Sequence, residues 1–225
     1  MVQIRSQDRT QERAQERKRE IVAAASKIFR AKGLHAAGMR DIAAELGMAV
    51  GNLYYYFQDK EDLLAYVQES TLTGLLALAG RVKALDAPTD RKLFLQTAGH
   101  VVLLNEGTPG SLAHLEVEAL SDKYRRPIQE RRDAYERSFR ALIEDGVEDG
   151  VFRPVDAKVT ALAILGAVNW TVKWFRPGGP KSARDIGRET AELLVRGLLA
   201  PGTEMNAPPL EALLPLIEAP ETPET

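Results

Sequence analysis

The segment "MRDIAAELGMAVGNLYYYFQDKEDLL", residues 39–64, decides the fold. Its first nine residues place four apolar side chains on one face of a short helix, and Gly47 ends that helix. A second short helix is predicted from Val50 to Phe57. Two short helices joined by a turn that contains glycine predict a helix-turn-helix. The four apolar positions are Met39, Ile42, Ala43 and Leu46.

Four consecutive aromatic residues, Tyr54 to Phe57, stand in the second of these helices. Consecutive positions point in different directions around a helix, so some of the four rings must face outward. The charged stretch "QDKED" follows at once, and in it Asp59 can cap the next helix. Asp62 stands at the third helical position, which resembles a capping box with aspartate in place of glutamate or glutamine. This pattern predicts a long helix towards Leu85.

The chain that precedes this segment is basic. Residues 1–40 carry ten lysines and arginines against four acidic residues, a charge of +6, whereas the whole chain has a net charge of −2. A basic end on an acidic body is typical of a polyanion-binding head joined to a different second domain. A solvated helix face is the alternative interpretation. An amphipathic helix that begins near Ile21 and ends at Gly33 completes this head.

The remainder of the chain shows helical patterns only. Helices are predicted at about 90–105, 109–121, 122–147, 156–176 and 182–199, and strand patterns are absent. Asp156 precedes one apolar run, and Ser182 stands three residues before Asp185 at the start of another. We therefore predict an all-α fold of about nine helices. A three-helix domain with the helix-turn-helix precedes a larger helical domain.

Composition excludes several classes of protein. The absence of cysteine removes disulfides, thiolate metal sites and thiol nucleophiles, and it fits a reducing cytoplasm. No apolar run is long enough to span a membrane, and the N-terminus is too polar for a secretory signal. There is no G-x-S-x-G motif and no glycine-rich phosphate loop after a strand. We expect a protein that is not an enzyme and that has no cofactor and no membrane partner.

The stretch "IVAAASKIFRAKGLHAAGMRDIAAELGMAVGNLYYYFQDKEDLLAYV", residues 21–67, resembles the DNA-binding domain of the TetR family of bacterial repressors. Outside this stretch the chain shares only the family's general plan, which is an all-helical domain for ligand binding and dimerisation. The positions that match the family's motif are Ala25, Ile28, Phe29, Gly33, Ile42, Ala43, Gly47, Gly51, Leu53, Tyr54, Tyr56, Phe57, Lys60 and Leu63.

The resemblance implies that the helix from Val50 is the recognition helix, with its N-terminal half at the base edges of the major groove. The side chains of Leu53, Tyr56 and Phe57 would then turn inward. Packing of the whole aromatic run in the core is the alternative. On the outer side, the Tyr54 hydroxyl would contact a phosphate.

Further DNA contacts follow from the same resemblance. Asn52 and Tyr55 would lie nearest the bases, and an asparagine amide can pair with adenine through two hydrogen bonds. Lys60 would hold a backbone phosphate at the start of the next helix. Met39 and Arg40 would meet the same phosphate backbone. The full expected DNA-binding set is Met39, Arg40, Ala49, Val50, Gly51, Asn52, Tyr54, Tyr55 and Lys60.

The sequence departs from the family's pattern at two positions. The family usually has threonine or serine before the first of the two short helices, where this chain has Gly38. It usually has serine at the opening of the recognition helix, where this chain has Ala49. Both hydroxyls cap a helix and contact phosphate in the family, and this chain has neither hydroxyl. The missing cap at Ala49 would cost about 1 kcal/mol.

Four parts are expected along the chain: a basic, mixed-charge arm over 1–16, the DNA-binding domain over 17–77, the ligand-binding and dimerisation domain over 78–200, and an acidic, proline-rich tail over 201–225. The tail would dock loosely or stay disordered, with 210–217 as its only sticky part. In the family, a ligand changes the spacing of the two DNA-binding heads of a dimer. The helices 156–176 and 182–199 would form the dimer surface.

The stretch "NWTVKWFRPGGPKS", residues 169–182, resembles the same region of TetR-type regulators of fatty-acid and related acyl-CoA degradation. An acyl chain needs an apolar tunnel, and the phosphates of coenzyme A need lysine or arginine nearby. Packing of the tryptophans at the dimer interface is the alternative. The expected ligand-binding set is His100, Leu103, Leu104, His114, Arg125, Phe139, Asn169, Trp170, Lys173 and Trp174. The two histidines lack the tight spacing of a metal site, so no metal is expected.

These observations lead to one functional hypothesis and one alternative. The hypothesis is a cytoplasmic, nucleoid-associated bacterial repressor whose homodimer binds a palindromic DNA operator and is released by a small molecule, a long-chain acyl-CoA. The alternative is a TetR-type repressor of drug efflux that responds to aromatic or cationic compounds. Basic residues beside the ligand pocket would favour the acyl-CoA, and acidic residues would favour cationic drugs.

Overall fold

The computed structural model describes residues 2–107, 117–205 and 207–218. Within that part of the chain there are nine α-helices, and one isolated β-bridge joins Phe152 to Leu199. The all-α prediction is therefore confirmed. Two compact units divide the chain, the first from residues 1–69 and 109–126 and the second from 70–108 and 127–225. The domain boundaries expected from the sequence stay a prediction.

The first unit contains the short helices that the opening segment predicts. Helix α1 spans Val2–Lys32, α2 spans Met39–Glu45, α3 spans Val50–Tyr54, and α4, Lys60–Lys83, begins here. The arm expected before residue 17 is thus a continuous part of α1. A 3₁₀ helix at Val117–Ala119 and the start of α6, Asp122–Glu148, complete the unit. Its core contains Ile21, Ala25, Phe29, Ile42, Leu53, Phe57 and Leu63.

The turn between α2 and α3 depends on Gly47, which has a φ of +61° that other residues rarely adopt. The Gly47 N–H donates to the carbonyl of Ala44, and the Met48 N–H donates to the carbonyl of Ala43 at 3.0 Å. These two bonds form a Schellman motif, which satisfies carbonyls that the helix end leaves free. Gly47 ends α2 as predicted, and α3 begins three residues later, at Val50.

Helix α3 ends at Tyr54, three residues before the predicted Phe57, and residues 55 and 56 form a turn. The N–H of Phe57 still donates to the carbonyl of Leu53 at 3.1 Å. The start of α4 has the predicted cap: the Asp62 N–H donates to the Asp59 carboxylate at 2.8 Å. The Asp62 carboxylate in turn accepts from the Gln58 N–H at 2.9 Å, one residue earlier than the capping-box pattern places this bond.

The second unit is built around α5, Thr89–Val102, which is buried without interruption from Leu93 to Val102. A π-helix, Leu103–Gly107, continues it. Around α5 lie most of α6, α7, Ala157–Trp174, and α8, Ala183–Arg196. The predicted caps are confirmed, since Asp156 accepts from the Val159 N–H and Ser182 forms a capping box with Asp185.

The second half of the chain also contains the segment 109–121 and the tail beyond residue 200. Of the helix expected over 109–121, residues 108–116 lie outside the described residues, and Val117–Ala119 forms a 3₁₀ helix instead of an α-helix. Of the tail beyond residue 200, residues 206 and 219–225 lie outside the described residues, and the rest docks through a 3₁₀ helix, Leu210–Leu213, and helix α9, Leu214–Glu218. Met205, Leu213 and Leu216 are buried in the core of the second unit.

Candidate functional site

The aromatic run is divided between the core and the surface by α3 and the turn after it. Leu53 and Phe57 are buried, whereas Tyr54 is 50% exposed and Tyr55 is 83% exposed. Tyr56 is half-buried, and its ring meets that of Tyr55 edge-on with centroids 5.1 Å apart. The expected inward position of Tyr56 is therefore met only in part. Two phenol groups, at the last residue of α3 and the residue after it, are left exposed.

The N-terminal end of α3 adds further groups to this outer surface. Ala49, Gly51 and Asn52 are exposed, and Val50 is half-buried. Ala49 supplies no side-chain cap, so only backbone bonds such as Asn52 N–H to Ala49 carbonyl, at 2.9 Å, close the first turn. Asn52 is thus exposed beside two small residues, Ala49 and Gly51.

Met39 and Arg40, at the start of α2, are expected to contact the phosphate backbone. The side chain of Met39 is buried, because it belongs to the apolar face of α2. A contact between Met39 and DNA stays a prediction. Arg40, the next residue, is exposed as expected.

Asp41 supplies the half of the α2 capping box that needs no hydroxyl at position 38. Its carboxylate accepts hydrogen bonds from the Lys32 ammonium at 2.6 Å and from the Gly38 N–H at 2.9 Å. These bonds, that of Lys32 first, hold the pKa of Asp41 below its usual value. The N–H of Gly38 is therefore satisfied, whereas the N–H of Asp41, to which a hydroxyl at position 38 would bond, donates to the Gly38 carbonyl at 3.1 Å.

Lys60 connects the start of α4 to the chain that precedes α2. Its ammonium donates to the carbonyl of Leu34 and, at 3.4 Å, to that of His35. Partial burial lowers the pKa of Lys60. A contact between Lys60 and a DNA phosphate stays a prediction, and it would use the remaining hydrogen of an ammonium that is already anchored.

A buried polar chain crosses the second unit. The imidazole of His100 on α5 contacts the Tyr135 hydroxyl on α6 through Nδ1 at 3.0 Å and the Asn169 amide oxygen on α7 through Nε2 at 3.1 Å. Burial lowers the pKa of His100 to about 3, and burial raises the pKa of Tyr135 well above its usual value. His100 is therefore neutral at physiological pH.

The other expected ligand-binding residues lie in different parts of the structure and do not form one cluster with His100. Leu104 and Phe139 are buried, and Leu103 is half-buried against the same core. Arg125 belongs to the first unit, where it forms ion pairs with Glu118 and Asp122. His114 lies outside the described residues. Trp170, Lys173 and Trp174 are exposed on the outer face of α7.

A surface cavity of 480 Å³ lies where α7 ends and α8 begins. The indole of Trp174 forms part of its wall, and Lys181 and Glu189 form an ion pair there. Its charged lining residues are two bases and one acid. The complete lining is Trp174, Phe175, Arg176, Gly179, Pro180, Lys181, Ile186, Glu189 and Thr190.

The outer faces of α7 and α8 carry most of the large apolar side chains that the described residues expose. Leu193 on α8 is 74% exposed, and Trp170 on α7 is 61% exposed. A monomeric protein rarely exposes a contiguous apolar patch of this kind without a binding role. Its members are Val159, Leu162, Trp170, Trp174 and Leu193.

Two family models match the chain. One, described as bacterial regulatory proteins of the tetR family, matches residues 21–67, and one described as Tetracyclin repressor-like, C-terminal domain matches residues 92–198. The solved structure of PfmR, a TetR family transcriptional regulator from Thermus thermophilus, is 33% identical, with a TM-score of 0.72 over 80% of this chain and 99% of PfmR. The chain belongs to the TetR family.

Other TetR relatives span nearly the same length. The HTH-type transcriptional repressor KstR2 of Mycobacterium tuberculosis is 27% identical over 198 residues, 87% of this chain and 99% of KstR2. The structure of AibR in complex with isovaleryl coenzyme A and operator DNA is 26% identical, with a TM-score of 0.68 over 80% of this chain and 98% of AibR. TetR proteins are DNA-binding regulators, so at the level of the family this chain is a regulator rather than an enzyme.

One residue of the polar chain was missing from the sequence-based list for this TetR protein. Tyr135 stands one helical turn before Phe139 on α6, and its ring contacts that of Phe139 edge-on at 5.4 Å. The heptad-like pattern of α6 indicates a buried position, but no pattern indicates which polar group the hydroxyl meets. Only packing of α6 against α5 brings Tyr135 to His100.

Proposed function

We propose that this protein is a homodimeric transcriptional repressor that binds a palindromic DNA operator in the cytoplasm and is released by a small molecule. The exposed groups of α3 support the DNA part of this proposal. Asn52 and Tyr54 stand on a short helix that a glycine turn presents, and Tyr55 follows at its C-terminal end, which is the arrangement of a helix that enters the major groove. Asn52 and Tyr55 would meet base edges, and Tyr54 and Arg40 the phosphates.

The apolar surface of α7 and α8 supports the dimer. Gly166 and Ala163 lie between the larger side chains of α7, and a side chain at Gly166 would meet nothing within 4 Å, so a second helix can approach closely there. Two such helix pairs would form a four-helix bundle that buries Trp170 and Leu193. A repressor with two heads on a common bundle matches the two half-sites of a palindromic operator.

An acyl-CoA is the effector that the second unit fits best. Basic residues Arg176 and Lys181 line the cavity at the end of α7, and they outnumber the acidic Glu189. Phosphates of coenzyme A need such bases, whereas a cationic drug would need an acidic lining. The relative AibR, whose structure contains isovaleryl coenzyme A and operator DNA, supports the same class of effector.

The test is release of the protein from its operator. An operator selected from random duplex DNA would be bound to the full-length protein, and acyl-CoAs of graded chain length would be added in a gel-shift assay. We expect release by a limited range of chain lengths. Coenzyme A alone, the corresponding free fatty acids and a cationic dye serve as controls. Release by the dye and by no acyl-CoA would favour a regulator of drug efflux, and release by none of these compounds would reject the acyl-CoA effector.

A further inference from the structure

Helix α1 begins well before residue 21, where the match to the tetR family begins. The residues just before that position are anchored on the first unit. The Lys18 ammonium lies over the rings of Phe57 and Tyr66, 5.5 and 5.0 Å from their centroids. The Tyr66 hydroxyl donates to the amide oxygen of Gln15 at 3.1 Å. This part of α1 therefore has a defined position beside the helix-turn-helix.

Arg17, the residue before Lys18, lies at the turn between α2 and α3. Its Nη2 contacts Met48 Sδ at 3.7 Å, and its Nη1 donates to the Glu20 carboxylate. Met48 directly precedes Ala49, the N-cap of α3. Two of the five N–H groups of the guanidinium make these contacts, so the other three have no partner among the described residues. The Arg17 side chain is only half-buried, so another molecule can reach it.

The proposed position of α3 in the major groove brings the turn before it to the edge of the groove. An α-helix is about 10–12 Å across and the major groove is about 12 Å wide, so groups beside the end of the helix meet the sugar-phosphate backbone. The residues of the turn, Gly47, Met48 and Ala49, have no N–H or O–H in their side chains. Arg17 brings a cationic donor to this place. A planar guanidinium can bind a phosphate through two parallel hydrogen bonds.

We propose that Arg17 binds a phosphate of the operator backbone beside the turn between α2 and α3. This inference rests on the proposed binding of operator DNA. It adds a residue of α1 to the expected DNA contacts, which all lie within residues 39–60. Glu20 orients the guanidinium in the free protein and shares it with the phosphate in the complex. Since every base pair carries the same phosphates, the contact adds affinity and fixes the position of the domain without selecting bases.

The salt dependence of operator binding tests this contact. Dissociation constants of the full-length protein for a selected operator would be measured by fluorescence anisotropy over a series of salt concentrations. Each neutralised phosphate contributes about 0.9 to the slope of log K against log salt, so loss of one contact in each half-site should reduce the slope of Arg17→Ala by about 1.8. Binding at constant salt should weaken roughly 10- to 100-fold. The operator that Arg17→Ala selects from random DNA should be that of the wild type.

A second ion pair on α1 provides the matched control. Arg19 pairs with Glu16 at 3.4 Å, also three residues away, and its side chain is exposed. Two residues of separation turn Arg19 by about 200° around the helix from Arg17, so it faces the opposite side. Arg19→Ala removes the same charge and should keep the slope of the wild type. An unchanged slope in Arg17→Ala, or equal reductions in both variants, would overturn the contact.

Two further variants separate the contact from packing of Arg17 on Met48. Arg17→Met keeps an unbranched side chain against Met48 without the charge, and it should lose as much of the slope as Arg17→Ala. Arg17→Lys keeps the charge and should keep the slope, but it should bind more weakly because an ammonium lacks the two-pronged geometry. A wild-type slope in Arg17→Met would show that altered packing causes the change in Arg17→Ala, and it would overturn the contact. Circular dichroism checks the helical content of each variant.

The selected sequence gives the last outcomes. If Arg17→Ala selects a different operator, Arg17 contacts a base and the phosphate assignment is wrong. In all of these cases the wild type still binds its operator, so the proposed function stands. If the wild type selects no operator from random DNA, the proposed DNA binding itself is wrong, and the assignment of Arg17 is wrong with it.

Discussion

At the scale of single residues, Asn52 is the side chain whose role is most specific. Its amide is exposed on the first turn of α3, where base edges would lie. We expect Asn52→Ala to change the preferred operator sequence, with a loss of about 1–3 kcal/mol of discrimination at one base pair. The measurement is selection of operators from random DNA with each protein.

Gln58 provides the matched control for Asn52. It is another exposed amide, six residues later and outside α3. Gln58→Ala should select the same operator as the wild type. If Asn52→Ala also selects the wild-type operator, the assignment of Asn52 to base recognition is wrong.

His100 makes stability depend on pH. Its pKa is about 3 in the folded protein and about 6.5 in the unfolded chain, because burial and the neighbouring Arg132 both disfavour the charged ring. The unfolded chain therefore binds more protons between these two values. Stability is complete above pH 6.5 and falls as the pH drops towards 3, by up to about 1.4 kcal/mol per pH unit.

Urea denaturation at several pH values would measure this dependence. His100→Gln, which does not titrate, should lose part of the decline below pH 6.5. His35→Gln, at an exposed histidine, is the control and should leave the slope as it is. An unchanged slope in His100→Gln would show that carboxylates alone cause the decline in acid.

At the scale of helices, the close approach of α8 to α5 depends on Gly187. A Cβ atom there would lie 2.8 Å from the carbonyl oxygen of Ala98, which belongs to the backbone and cannot turn away. Gly187→Ala should therefore lower the free energy of unfolding by about 1–3 kcal/mol, despite the better helix propensity of alanine. Urea denaturation measures this change.

Gly74 is the matched control for Gly187. It lies inside α4, and a Cβ atom there would meet nothing within 4 Å. Gly74→Ala should stabilise the protein by up to about 1 kcal/mol, since only helix propensity changes. Equal effects of the two substitutions would contradict the close packing of α8 on α5.

Local rules account for the elements that were predicted well. Gly47, Asp59, Asp156 and Ser182 each act on backbone groups within a few residues, so the sequence alone shows where α2 ends and where α4, α7 and α8 begin. Packing accounts for part of what was not predicted: the π-helix after Val102 contacts α5 and α7, and no local pattern contains these contacts. The early end of α3 has no local signal in the sequence.

The candidate site likewise has some features that the sequence predicts and others that only the folded structure reveals. The exposure of Tyr54 and Tyr55 follows from helical geometry once Leu53 and Phe57 are assigned to the core, so it could be predicted. The buried position of Met39 follows from the same apolar face that identified α2, although the family motif suggested a DNA contact. The meeting of His100 with Tyr135 joins residues 35 positions apart and needed the folded structure.

At the scale of the whole molecule, the proposed dimer can be separated from folding. Leu193 is exposed on α8, so Leu193→Glu should leave the monomer folded while it places an unpaired charge in the proposed bundle. We expect the dimer to weaken by roughly 10- to 100-fold. Sedimentation equilibrium measures the association, and circular dichroism checks the helical content.

Ala141→Glu is the control for this substitution. It also introduces a glutamate at an exposed apolar position, but on α6. It should sediment as the wild type does. If Leu193→Glu dimerises with the same affinity as the wild type, the interface lies elsewhere. If a monomeric variant still binds the operator, binding does not require two DNA-binding domains.

The outer face of α7 has one more consequence. Trp170 and Trp174 are the only tryptophans of the chain, and they are 61% and 48% exposed on the same helix. All indole fluorescence therefore originates from the one surface that dimerisation and effector binding are proposed to cover. The emission maximum should shift to shorter wavelength as the protein is concentrated and the indoles leave water. The unlabelled protein thus contains its own optical reporter of assembly, readable at the low concentrations where subunits separate.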